Sequence, residues 1–152
     1  MMFRKNSRYR QGVYKPLNRE KYSGKQDPIY RSSWELKFFK WADGNKRVVR
    51  WGSENIIIPY VSPLDNKVHR YFVDNFIVFL NSEGKPRKFL IEIKPSKSVS
   101  KPVISERKRK ATMIYEQRTW VVNQAKWEAA RRWADKKGYE FLILTEKELN
   151  VN

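Results

Sequence analysis

The chain has 152 residues, 33 Lys and Arg against 16 Asp and Glu, a formal net charge of +17 and apolar residues at 40%, which suits one compact domain with a polyanionic partner, nucleic acid before an anionic membrane surface. With no Cys there is no disulfide, thiolate zinc site, iron–sulfur cluster or cysteine nucleophile, and with His69 the only histidine there is no multi-imidazole zinc site. The six glycines form neither a P-loop nor a dinucleotide fingerprint, and no run approaches eighteen apolar residues or resembles a signal peptide. The chain therefore reads as soluble and intracellular, and any chemistry must rest on carboxylates, lysines and a hard metal.

Residues 1–27 read as a basic N-terminal arm and 28–152 as the domain. Up to Lys25 the arm holds eight Lys and Arg, among them Arg4, Lys5, Arg8 and Arg10, against the single acid Glu20, with Tyr9, Tyr14 and Tyr22 interleaved. It shows no helical or strand period. It is either an extended arm that orders on a phosphate backbone or a solvated tail.

A helix is predicted from about Pro28 to Ala42, with Trp34, Phe38, Trp41 and Ala42 forming its buried stripe. Asp27-Pro28 would start it, or Ser32 and Glu35 as a later capping box. Strands follow at Val48–Trp51 and Ile56–Val61, then one long β pattern from Val68 to Leu80. The turn cluster N-S-E-G-K-P at 81–86 leads into a strand from Lys88 to Lys94, which Pro95 stops. These two strands read as an antiparallel hairpin. A Ser/Lys/Pro loop at 95–102 precedes the basic run Arg107, Lys108, Arg109 and Lys110, the best phosphate-contact candidates after the arm. A helix is expected to start near this basic run, and a second helix reads from about Asn123, or from near Thr119, to Lys137, with Gly138 as its stop. Tyr139–Leu144 reads as a last strand, and Thr145 with Glu148 as a second capping box. The order gives a single α/β domain with a mixed β-sheet flanked by helices.

Two positions break the apolar pattern. Asp74 lies at period-two spacing from Phe72, Phe76 and Val78, and Glu92 lies between Ile91 and Ile93. A carboxylate on an apolar face is costly unless it binds a cation or accepts several hydrogen bonds. A hairpin folded about residues 81–86 brings Asp74, Glu92 and Lys94 to one spot on the sheet. Two carboxylates suffice for Mg2+, with Mn2+ as a substitute, and the Ile93 carbonyl between Glu92 and Lys94 can add an oxygen. Such an ion suits phosphodiester hydrolysis. Lys94, beside two carboxylates, is expected to give electrostatic help rather than act as a base. The competing reading of the acids is a buried ion pair.

The pattern D-x(17)-E-x-K on a hairpin resembles the core of the PD-(D/E)xK nuclease superfamily. Y-R-S-S-W-E-L-K-F-F, V-D-N-F, L-I-E-I-K-P, N-Q-A-K-W-E-A-A-R-R-W and F-L-I-L-T-E-K-E-L together resemble the TnsA-type endonuclease fold over roughly 28–149, and within it the head-completion nucleases of contractile-tailed phages. The resemblance implies a restriction-endonuclease-like fold and a nuclease, both endonuclease and exonuclease, acting on packaged DNA before heads join tails. It implies DNA as substrate, phage portal or neck proteins as partners, and the host cytoplasm as the place of action. It assigns Glu35, Asp74, Glu92 and Lys94 to the active site, with Glu35 either binding metal or holding a water. TnsA itself carries Gln where Glu92 stands, whereas Glu is the usual superfamily residue. The alternatives are a non-catalytic DNA-end or portal-binding protein on the same fold, and a transposon end-cleaving subunit, for which 152 residues leave no partner-binding domain. Gln124 and Lys126 at a helix start either face the site or, as the favoured reading, are surface groups; Trp120, Trp127 and Trp133 read as core, and His69 as a strand-surface residue. Nothing suggests a base-reading helix.

Overall fold

The structure is a computed structural model describing residues 11–150. The arm candidates Arg4, Lys5, Arg8 and Arg10 lie outside the described residues.

Short strands β1 (Gly12–Val13) and β2 (Ile29–Tyr30) pair antiparallel. Helix α1 (Ser33–Gly44) follows, then β3 (Val48–Ser53), β4 (Ile57–Val61), β5 (Val68–Phe72), β6 (Asn75–Leu80) and β7 (Pro86–Ile93). A single turn α2 (Ser96–Val99) precedes the long α3 (Lys110–Lys137), β8 (Glu140–Leu144) and α4 (Glu146–Leu149). The main sheet has the order β3-β6-β7-β8, antiparallel except for the parallel β7–β8 pair. β4 and β5 form a separate antiparallel pair.

The sheet is covered on both faces because β6 and β7 are apolar on both. On one side Trp34, Phe38, Phe39 and Ala42 of α1 pack on Trp51, Ile77 and Ile91. On the other, Trp127, Ala130 and Ala134 of α3 pack on Phe76, Leu90 and the β4–β5 residues Ile58 and Tyr71. This is the expected α/β architecture with a mixed sheet between helices. Among the described residues no helix is long and apolar enough to cross a membrane.

Four local expectations change. Helix α1 starts at Ser33, not Pro28, because Ile29 and Tyr30 are taken by β1 while Ser32 Oγ accepts the Glu35 N–H at 3.2 Å. Residues 11–27 are not an extended arm. Buried Asp43, near the end of α1, accepts Tyr14 Oη (2.6 Å) and the N–H groups of Leu17 (2.7 Å) and Asn18 (3.0 Å). Lys21 Nζ reaches the Asp43 and Asn45 carbonyls at 2.7 and 2.8 Å, satisfying oxygens that a helix C-terminus leaves without partners. Tyr14 and Tyr22 pack on Trp51, so these aromatics are core groups. The long strand from Val68 to Leu80 is two strands, because the chain leaves one sheet for the other at Val73-Asp74. Finally, α3 starts beside the basic run, where a helix is expected, and continues unbroken through Thr119 and Asn123 instead of a second helix starting there. No Gly or Pro interrupts its 28 residues, although it buries side chains only from Asn123 onward. As expected, Gly138 ends it in the left-handed conformation (φ +76°), and Thr145 with Glu148 form the capping box of α4.

Candidate active site

The switch between sheets shapes the site. β6 and β7 are in register from Leu80↔Pro86 to Asn75↔Ile91, so the next position, Asp74, falls opposite Glu92. The Lys94 N–H turns to β8, bonding the Leu144 carbonyl at 3.0 Å, so the Ile93 N–H turns to the β6 side. There the ladder has ended, and Asp74 Oδ2 accepts this N–H at 2.8 Å. The backbone of Asp74 is also held, its carbonyl accepting the Glu54 N–H at 3.0 Å. The Ile93 carbonyl shares the side of its N–H and faces the same sheet end. The strand break corrects one step of the sequence reading: Phe72 is 43% exposed and Phe76 is 9% exposed, so alternation does not carry one face through Asp74.

Glu92 is 5% exposed, on the α3 side with Leu90. Tyr71 Oη donates to its Oε2 at 2.5 Å, and Lys94 Nζ lies 3.7 Å from its Oε1. Asp74 and Glu92 stand at opposite positions of adjoining strands and act on each other's charge. Burial first, and then the charge of Glu92, push the Asp74 carboxyl well above its ordinary value, against the Ile93 N–H and Lys94. Burial likewise raises Glu92, opposed by Tyr71, Lys94 and Lys126. The pair is thus short of positive countercharge.

Asp74, Ile93 and Lys94 open into a cleft of about 510 Å³ that Arg31, Glu35 and Glu54 also line. Glu35 serves two ends. Its Oε2 accepts the Arg31 N–H (3.0 Å) and Ser32 Oγ (3.2 Å), completing the start of α1, and it lines the cleft. Burial raises its carboxyl, opposed by Arg31 and Ser32. A more apolar cavity of about 430 Å³ around Phe38, Trp41 and Phe79 contains none of these acids.

The site residues expected from the sequence, Glu35, Asp74, Glu92 and Lys94, therefore converge. Among the described residues no three His, Asp or Glu side chains gather as a metal cluster, so Glu35 acts on Asp74 through charge rather than as one of a three-acid set. The donors that remain fit a hard divalent ion: two undercompensated carboxylates and a carbonyl, where Mg2+ needs only one or two carboxylates.

The sequence reading missed Tyr71, Arg31 and Glu54; of its two readings of Lys126, the one toward the site is the one the structure favours. Lys126 lies within α3, not at its start, with Nζ 5.6 Å from the Tyr71 ring and 5.9 Å from that of Tyr60. A tyrosine three residues before Asp74 was a visible signal, but its direction depends on the β4–β5 pair. Gln124 also lies within α3 and does not line the cleft. Trp127 is core, Trp133 packs on Tyr139 at 5.1 Å, and the Trp120 indole nitrogen is buried. His69 is a surface group bonded to Asp65 at 2.7 Å. Arg107, Arg109 and Lys110 are exposed at the approach to α3, away from the cleft lining, whereas Lys108 is tied to Glu116 at 3.1 Å.

Residues 45–146 match the family described as TnsA-like endonuclease N terminal. The chain is also 43% identical over 147 residues to a protein of Enterobacteria phage T4 named head completion nuclease, an alignment that covers 92% of this chain and 93% of that protein.

Proposed function

The chain belongs to the TnsA-like endonuclease family, and from that premise we propose that it is a Mg2+-dependent deoxyribonuclease, endonuclease and exonuclease, acting on packaged phage DNA at head completion and head–tail joining. The observation that carries the reading is the buried Asp74–Glu92 pair with Lys94 beside it, Asp74 and Lys94 lining the cleft. Uncompensated buried carboxylates cost stability, and a non-catalytic DNA-end or portal-binding protein would gain by replacing them.

Asp74, Glu92 and the Ile93 carbonyl would hold the metal, with Glu35 also lining the cleft. When bound, Mg2+ or Mn2+ neutralises phosphoryl oxygens and lowers the pKa of a water. The protein's own groups do the rest. Tyr71 fixes the orientation of Glu92 through Oε2, and the Ile93 N–H fixes Asp74 through Oδ2. Lys94 presents an ammonium beside the reacting phosphate, where negative charge develops. Lys126, behind Tyr71, offsets the charge of Glu92 from the closed side. Exposed Arg107, Arg109 and Lys110, together with Arg4, Lys5, Arg8 and Arg10, would supply phosphate contacts that give affinity without sequence preference. Portal or neck proteins, at which the family resemblance points, would bring the enzyme to its DNA in the host cytoplasm during assembly.

The test is plasmid nicking under a metal titration, wild type beside Glu92→Ala. Cleavage is expected only with Mg2+ or Mn2+ and only in the wild type. Wild-type cutting in EDTA, or by Glu92→Ala, refutes the assignment.

A further inference from the structure

The cleft contains a pair of groups that the hydrolytic set leaves unused. Arg31 and Glu54 face each other across its outer wall in a close salt bridge, with side chains 52% and 37% exposed. We infer that Arg31 is the residue that grips a DNA phosphate at this cleft, and that Glu54 is a latch which occupies its guanidinium until DNA displaces it. The inference rests on the nuclease reading of the cleft and goes beyond it by adding substrate control.

Three observations support it. First, the Arg31 backbone N–H is bonded to Glu35 at 3.0 Å, so its Cα is fixed at the cleft wall while its side chain remains in solvent. A planar guanidinium recognises a carboxylate and a phosphate through the same fork of donors, so one can replace the other without a new geometry. Second, Glu54 is a non-glycine residue at φ +55°, and its N–H is bonded to the Asp74 carbonyl at 3.0 Å. Side chains rarely adopt that backbone conformation, and such strain persists where the surrounding structure holds it in place. Glu54 is thereby locked to the same residue that anchors the acid pair. Third, the cleft lining holds the carboxylates of Glu35, Glu54 and Asp74 against the cations of Arg31 and Lys94. With Arg31 neutralised by Glu54, the wall offers a polyanion little attraction. An exposed ion pair contributes little stability of its own, so a phosphate can open it at small cost.

The experiment is a double-mutant cycle on the full chain. Anisotropy in EDTA, where no cutting is expected, measures the affinity for a labelled 20-base-pair duplex for wild type, Arg31→Ala, Glu54→Gln and the double variant. Melting curves confirm that each variant folds. Arg31→Ala is expected to weaken binding about 10-fold and lower the salt slope by about 1. Glu54→Gln is expected to tighten it about 2–5-fold, and that gain disappears in the Arg31→Ala background. With Mg2+, Arg31→Ala raises KM with kcat largely retained, and Arg31→Lys recovers only part of the loss. An equal gain from Glu54→Gln in both backgrounds shows general repulsion and overturns the latch. Wild-type affinity in Arg31→Ala, or a fall in kcat at unchanged KM, overturns the grip. Glu92→Ala separates the two readings. If it still cuts, the assignment of the acid pair as the hydrolytic site fails while the cycle stands. If it is inactive and the cycle is additive, only the latch fails.

Discussion

Replacing Asp74 by Asn tests the carboxylate pair without relying on cleavage. The asparagine keeps an oxygen for the Ile93 N–H, now bonded at 2.8 Å, and exchanges the second carboxylate oxygen for an amide donor beside Glu92. It removes one of two mutually repelling buried charges. Both folded carboxyls sit above their ordinary values of 3.8 and 4.5. A raised folded pKa stabilises the protein below the unfolded value, and that contribution is lost as pH rises through the folded one. In EDTA the wild type should therefore lose stability relative to Asp74→Asn on going from about pH 4 to pH 8. Each unit of displacement corresponds to about 1.4 kcal/mol, or roughly 3–5 °C in Tm for a domain of this size. Magnesium should reverse the order: at 100 times Kd it stabilises the wild type by about 2.7 kcal/mol and the variant far less. Differential scanning fluorimetry at several pH values, with EDTA and with MgCl2, reads both effects. A variant that melts lower than wild type in EDTA at pH 8, or an equal magnesium shift in both proteins, would refute the argument that the pair is short of a cation.

Tyr71→Phe removes only the hydroxyl that orients Glu92, so cleavage should fall by about 10–100-fold with the fold intact; full activity would show that Glu92 needs no such support. Glu35→Gln keeps an oxygen for Arg31 and Ser32 and should slow nicking while leaving Tm nearly unchanged, whereas a large drop in Tm with normal nicking would make Glu35 a helix cap alone. Asp43 is held below the ordinary value: burial opposes its charge, but hydrogen bonds from Tyr14, Leu17 and Asn18 outweigh it. Its contribution is present above the unfolded pKa and lost as pH falls through the folded one, so urea melts of Asp43→Asn should show a cost of about 2–4 kcal/mol at pH 7 that shrinks below pH 4. Neutralising Arg107, Arg109 and Lys110 should reduce the salt slope of DNA binding by about 0.9 per lost contact; an unchanged slope would make the run a solvated surface.

Why the acid pair was readable and its supports were not comes down to range. The turn at 81–86 centres the hairpin, and six steps outward from Leu80 and Pro86 lead to Asp74 and Glu92. Local chemistry alone therefore placed the two carboxyls together. The switch at Val73-Asp74 was hidden because V-H-R-Y-F-V-D-N-F keeps a continuous β pattern while its two halves join different sheets. Tyr71 points to Glu92 only because the β4–β5 pair packs over α3 and the main sheet. Residues 14–21 looked like a free arm because their anchor is Asp43, more than twenty residues away, and no local period reports it. The continuity of α3 was missed for a related reason: its first turns are exposed, so the apolar stripe that reveals a helix starts only near Asn123.

The break between the two sheets explains both the precision and the cost of the site. A strand that continued past Asn75 would satisfy the Ile93 N–H with a carbonyl and send residue 74 to one face. By turning into a second sheet, the chain frees that N–H and gives it to a carboxylate, so Asp74 is fixed by the edge of a rigid ladder rather than by a loop. The hairpin and its sheet switch carry the charge pair by themselves, while α1 and the segment leading into it bring up the cleft's outer wall. Changes to the hairpin acids should accordingly abolish hydrolysis, and changes to the α1 wall should tune how DNA is held and how fast it is cut.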